Sequence, residues 1–402
     1  MNLKRLFSSL LPRIILAIVL GIVCSFFFPD WLARVFVTFT GLFGGFLSFF
    51  VPVLIFALIT PAIASLGQGA GKWLGATVGI AYGSTIVSGG LAFLVASLAY
   101  PSLLQSEKVG EAVDISEGAL EPFFEVEMNP PFDVMSGLLL AFTVGLAMAA
   151  IGTPTLRAGA DELRSVIMRV IEKFIIPLLP VYIFGIFLAM GMNGNLKLTL
   201  SMFLKVLLLA TIMTVVILLM QYLIAGAIAK KNPFTALKNM LPAYFTALGT
   251  SSSAATIPVT LRSVRNNGVT ESVAGFVVPL CATVHLSGSM MKIGLFAFAV
   301  MYMTTGGATF GQAAGFVLLL GIMMVAAPGV PGGAIMAAVG LLQTQLGFDE
   351  GQVALMIAAY IAIDSFGTAC NVTGDGAIAM VINRFAKGDI NNEKSPDIMA
   401  KA

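Results

Sequence analysis

The sequence predicts an all-α polytopic membrane fold of eight transmembrane helices and two re-entrant helical hairpins. Three observations predict it. Of 402 residues, 58% are apolar and 10% charged, against about 25% charged in a soluble domain, and the mean hydropathy is +0.97. Several apolar stretches reach the roughly 20 residues that cross a bilayer core. Two further apolar segments are interrupted by Ser, Gly and Pro, so neither reads as a regular crossing.

The spans are read near 12–29, 40–66, 74–100, 132–152, 166–191, 198–229, 272–303 and 352–385. The first run lacks a small-residue cleavage site and is read as a retained helix rather than a signal peptide. Basic residues favour cytoplasmic loops. Lys4, Arg5 and Arg13 therefore put the N-terminus inside, followed on that side by Lys72, Arg157, Arg164, Lys230, Lys231 and Lys238. Arg384 and Lys387 place the end of the last helix inside as well, and the acidic loop from Pro101 to Pro131 falls outside. The expected location is a plasma (inner) membrane with both termini cytoplasmic.

The first interrupted segment, Met240 to Val259, is broken by Gly249-Thr250-Ser251-Ser252-Ser253 and then by Pro258. The second, Phe316 to Leu342, is broken by Ala327-Pro328-Gly329-Val330-Pro331-Gly332-Gly333. As single crossings they would spoil the charge pattern of the loops; as hairpins entering and leaving on one side, they preserve it. Two kinked spanning helices are the rival reading. Irregular backbone at membrane depth needs protein or a water-filled cavity around it, and paired broken segments point to a transporter's binding site.

Charge and composition exclude several functions. A net charge of +2 with scattered basic residues leaves no footprint for nucleic acid. Cys24, Cys281 and Cys370 all lie in apolar segments and match neither a disulfide framework nor a zinc pattern. A single histidine excludes a multi-histidine metal or haem centre.

Ionisable groups inside spans are costly and functional by default. On the last helix Asp364 and Asp375 lie about three turns and roughly 16 Å apart on one face, with Thr368 and Asn371 between them. They are too far apart to share a proton or a water, so each is read as serving a different ligand. An intramembrane aspartyl protease would need two such groups from different helices, and a channel filter would need a ring of carbonyls or charges. On the preceding helix, the small and polar residues from Thr283 to Ser289 predict an unwinding centred on Gly288 that frees carbonyls for a cation. Lys292 should meet a carboxylate, either Asp364, Asp375 or a substrate's. His285 is read either as a neutral hydrogen-bonded imidazole or as a ligand.

The serine-rich hairpin, the broken helix, the Gly-Val-Pro-Gly hairpin and the last helix with Asn371-Val372-Thr373-Gly374-Asp375 resemble the glutamate-transporter family, the dicarboxylate/amino acid:cation symporters. The resemblance covers essentially the whole chain and is that of a divergent, bacterial-type member. It implies a non-enzymatic homotrimer working by an elevator mechanism on an inverted-repeat fold. Scaffold helices 1 and 2 would lie in 1–72, helix 3 of the transport domain in 73–101, and the extracellular loop with scaffold helices 4 and 5 in 102–195. The rest of the transport domain would occupy 196–402, with hairpins at about 233–262 and 312–346.

Residues matching Ser253, the Val330 backbone, Asp364, Thr368 and Asn371 would hold the substrate, Asp364 taking its α-amino group. Ser252, Ser289, Gly333 and Lys292 complete this candidate set. Asp375 would bind sodium with carbonyls at Cys281, His285 and Asn371, and Thr283 joins that set.

The departures from the family pattern shape the expected function. The family's Asn-Met-Asp-Gly-Thr is His285-Leu286-Ser287-Gly288-Ser289 here, so a deep acidic sodium ligand becomes a serine. One or two sodium ions are expected, with a proton as the other candidate cation. The arginine that acidic-substrate members carry one turn past the first aspartate is Gly367. The favoured expectation is therefore an importer of a small or neutral amino acid with sodium or protons. The alternative is an acidic amino acid or C4-dicarboxylate symporter that uses Lys292 in place of the missing arginine.

Overall fold

The computed structural model describes residues 10–66, 72–104, 120–152, 154–192, 196–327 and 332–387, and the regular elements among them are all helical. The chain opens with α1 (Leu10–Cys24), α2 (Asp30–Leu66), α3 (Lys72–Leu103) and α4 (Val134–Ile151). Next, α5 (Pro154–Val170) runs through a π turn at Ile171–Ile175 into α6 (Ile176–Met192), and α7 (Leu196–Ala229) follows.

Among the described residues, six helices are long and apolar enough to cross a membrane, or seven if one bent pair counts as a span. Eight were expected. The difference is α1, whose 15 residues rise only about 22 Å against a hydrocarbon core of about 30 Å. Apolar side chains cover both faces of α7. Leu204, Leu208, Ile212 and Val215 are exposed, while Val206, Ala210, Met213 and Ile217 are buried. A helix that is apolar all round faces lipid on its outer side.

The two interrupted segments fold as helical pairs. Asn232 caps α8 (Pro233–Thr250) by accepting the Phe234 and Thr235 N–H groups. A turn at Ser251, with φ 50°, leads to Ser252, which caps α9 (Ser253–Asn266) by accepting Ala255 N–H. The open end of the pair is tied by Asn267, which donates to Ala236 O at 3.0 Å, and by Asn239, which donates to Asn267 Oδ1 at 2.8 Å. The chain thus returns to the end it started from. Pro258 does not interrupt this segment as expected. It lies inside α9, where it removes one backbone donor and crowds the carbonyl of the preceding turn without ending the helix.

The second pair is α12 (Phe310–Ala326), started by a Thr309–Gln312 capping box, and α13 (Gly333–Leu346), which packs against it. The tip with Val330 lies outside the described residues.

Two breaks differ from the sequence reading. The unwinding expected at Gly288 lies at His285 and Leu286, between α10 (Glu271–Val284) and α11 (Ser287–Thr305). The helix restarts early because Asn371 Oδ1 accepts Gly288 N–H at 2.8 Å and Ser289 N–H at 3.4 Å, satisfying donors that a helix start leaves free. Gly288 serves close approach instead: a Cβ there would meet Cys370 Cβ at 2.6 Å and Gly367 O at 2.7 Å. The last span, read as continuous, is α14 (Glu350–Ala362) and α15 (Asp364–Phe385), bent by 61° at Ile363.

Helix α15 packs against α7, α8, α10 and α11, and α3 packs against α11 and α12. On the other side α2 packs against α4 and α6, and α1 against α6. Most contacts between the two groups run through α12, α13 and α14, with α6 also touching α7.

At the start of α4, Asp133 accepts the Ser136 hydroxyl at 2.7 Å and its N–H at 2.8 Å. These bonds, the hydroxyl's first, hold its carboxyl below the usual carboxylate range. A depressed folded-state pKa contributes stability above the unfolded pKa and loses it as pH falls through the folded one. Asp133→Ala should therefore lower the melting temperature near neutral pH, and thermal melts in acid should show the difference disappearing.

Candidate functional site

Four helix breaks surround one small buried cleft. Ser251 and Ser253 reach it from the α8–α9 turn, Leu286 and Ser289 from the α10–α11 break, and Ala327 and Ala334 from either side of the α12–α13 tip. Tyr360, Asp364, Thr368 and Asn371 line it from the α14–α15 break. The N-terminal ends of α9, α11, α13 and α15 therefore face the same space. The helix dipole makes each end favourable for negative charge, although Asn371 already accepts the Gly288 and Ser289 N–H groups at α11.

Asp364 is the carboxylate in this lining. Its Oδ2 accepts the Gly332 N–H at 2.8 Å, and its Oδ1 lies 3.9 Å from Lys292 Nζ. Lys292 is fully buried. It donates to Ile363 O at 2.9 Å and Asp364 O at 3.3 Å, and its ammonium lies 4.3 Å from the centre of the Tyr360 ring. The lysine thus occupies the negative, C-terminal end of α14, where a cation is favoured, and holds the bend at Ile363 from a separate helix.

Gly367 makes this possible. A Cβ built there would overlap Lys292 Cε and Nζ. The lysine chain fills the volume that a side chain at 367 would enter.

The other expected substrate residues lie around Asp364. Thr368 Oγ1 donates to Asp364 O at 3.1 Å. Asn371 Nδ2 donates to Ser289 Oγ at 3.1 Å, and the same oxygen accepts the Tyr360 hydroxyl at 2.9 Å. Ser253 lines the cleft, whereas Ser252 is the α9 cap just behind it. Gly333 opens α13 next to Gly332.

The expected cation residues are more dispersed. His285 Nδ1 lies 2.9 Å from Asp375 Oδ1, both buried. Cys281 O accepts the His285 N–H at 2.9 Å. Thr283 is exposed and donates to Leu280 O.

Sequence reasoning missed Tyr360 and Ser251. The Ser251 hydroxyl lies 2.7 Å from that of Ser365, joining the hairpin turn to the start of α15. The serine run was visible, but which of its members faces inward depends on the left-handed turn at Ser251 itself. Tyr360 lies on the far side of a bend that carries no Gly or Pro signal.

Fold and site together define a polytopic helical membrane protein with paired helix breaks around a buried polar cleft. The model of the Sodium:dicarboxylate symporter family matches residues 10–385, and the chain belongs to that family, one of transporters rather than enzymes. Excitatory amino acid transporter 1 of Homo sapiens is 30% identical over 166 residues, 41% of this chain and 30% of its own length. The excitatory amino acid transporter of Caenorhabditis elegans is 30% identical over 163 residues, 40% and 32% of the two chains. Excitatory amino acid transporter 5 of Homo sapiens is 31% identical over 163 residues, 40% and 29%. The similarity thus spans about a third of the length of these relatives.

Proposed function

We propose that the chain is a secondary active symporter that imports an acidic amino acid or a C4-dicarboxylate together with a cation. The observation that carries this reading is Lys292 in the side-chain space of Gly367. Taken alone, Gly367 argues for a neutral substrate, because no guanidinium waits there for a second carboxylate. The lysine brings a positive charge to that place from α11. The four helix N-termini add to it, and Asp364 is already engaged by Gly332 N–H and faced by Lys292. The balance of the cleft therefore favours a substrate with more carboxylate than ammonium. Relatives named for excitatory amino acids support the same choice over the neutral one.

In this reading α1 completes eight crossings, both helical pairs are re-entrant, and both termini are cytoplasmic in a plasma membrane. The group of α3 and α7 to α15 would move as the elevator against α1, α2 and α4 to α6, in a homotrimer.

Uptake into proteoliposomes under an imposed cation gradient tests the proposal. Unlabelled aspartate or succinate should compete with labelled aspartate, while serine and alanine should not. Uphill uptake of labelled serine or alanine with none of labelled aspartate would restore the neutral reading, and a saturating current without uphill uptake would replace the symporter by a channel.

A further inference from the structure

Resting on the reading of the chain as a cation symporter, we infer that His285 fills the ion position at Asp375 and excludes sodium from it. The imidazole does not merely lend a backbone carbonyl, as the resemblance implied. It turns inward, with Nδ1 2.9 Å from Asp375 Oδ1 and both side chains buried. On the other edge of the ring, Nε2 lies 3.1 Å from Ser84 Oγ. Gln221 Nε2 closes the cluster by donating to Ser84 Oγ at 2.9 Å and to Ser287 Oγ at 3.0 Å. Helices α3, α7, α11 and α15 and the α10–α11 break thus meet around the ring.

Two features of this cluster work against a hard cation. The first is space. Calcium, an ion of similar size to sodium, keeps its oxygens at about 2.3–2.6 Å, so an ion on Asp375 Oδ1 would have to displace the imidazole. The ring is built in: a Cβ on Gly374 would meet His285 Cε1 at 2.6 Å. The second is polarity. A hard cation needs converging oxygen acceptors, whereas an imidazole nitrogen stands on Asp375 Oδ1, the Gln221 amide donates away to Ser84 and Ser287, and Gln221 Oε1 beside Gly374 is a lone neutral acceptor. Of the candidate carbonyls, Cys281 O already accepts the His285 N–H. Ser287, where the family pattern has an aspartate, brings no second carboxylate. The chain thus supplies with its own side chain the partner that Asp375 would otherwise take from solution.

The test is sodium binding by the purified full-length chain in detergent. Melting curves are compared in sodium chloride and in choline chloride at equal ionic strength, without substrate. The parent should show no sodium-specific shift that depends on Asp375. His285→Asn, which opens the space and offers an acceptor oxygen, should gain a sodium-dependent rise of about 2 °C or more, and adding Asp375→Asn should remove it. If His285→Asn does not fold, His285→Gln carries the same comparison.

Sodium-specific stabilisation of the parent that Asp375→Asn abolishes would overturn the inference, as would variants at 285 that fold and stay silent. A parental response that survives Asp375→Asn would place sodium elsewhere and agree with it. Because no substrate is present, these readings stand apart from the uptake assay: failed symport would remove the proposed function without altering them.

Discussion

Asp364→Asn should weaken binding of an acidic amino acid by about one to two orders of magnitude while leaving the chain folded. The amide keeps an oxygen for the Gly332 N–H, which now binds Asp364 Oδ2 at 2.8 Å, so the start of α13 stays anchored. What disappears is the negative charge that a substrate ammonium would meet. A hydrogen bond to a charged group is worth about 1.5–3 kcal/mol, which corresponds to roughly a ten- to hundredfold loss of affinity. Calorimetric titration with aspartate and with succinate checks it and separates the two substrate classes. Succinate has no ammonium, so the same substitution should leave its affinity unchanged or raise it. Unchanged aspartate affinity in Asp364→Asn would remove Asp364 from the substrate site.

The second large effect is expected at Lys292 and Gly367 together. Lys292→Met removes the donor to Ile363 O and Asp364 O and the cation facing Asp364. Taking one partner from a buried charged pair costs about 3–5 kcal/mol, and that range is an upper bound here because the two charges stand 3.9 Å apart. Gly367→Arg alone should also damage the protein, since its Cβ overlaps the lysine chain. Combined, the two substitutions free the volume and return a cation to it from α15. Acidic-substrate binding and thermal stability in the double variant should exceed those of either single one, a non-additivity of the kind that residues in contact produce. Strictly additive losses would mean that the lysine and the glycine do not share one role.

How much of this was legible in sequence can be seen residue by residue. The long apolar stretches announced α2, α3, α6 and α7 because a membrane helix must satisfy its backbone internally and cover itself with apolar side chains. The serine run and the Ala-Pro-Gly-Val-Pro-Gly-Gly run marked the ends of α8 and α12, since those residues weaken or stop a helix locally. The shared face of Asp364, Thr368 and Asn371 followed from helical spacing, and all three line the cleft. These readings needed only neighbours within a few residues in the chain.

The remaining features were decided between distant segments. No Gly or Pro stands at Ile363, yet the chain bends there by 61°, with Lys292 across from it holding the exposed carbonyls. Gly367 alone looks like an absent charge; beside Lys292 it is the space that admits one. His285 has no partner within reach of its own helix, and packing brings Asp375 to it from 90 residues away. Composition, membrane class, most helices and the polar face of α15 are properties of the sequence by itself, because they arise from local periodicity and from transfer into lipid. The bend, the lysine in the glycine's place and the histidine on the second aspartate arise only when the tertiary structure buries charges together, since a buried charge takes its partner from whatever packing sets beside it.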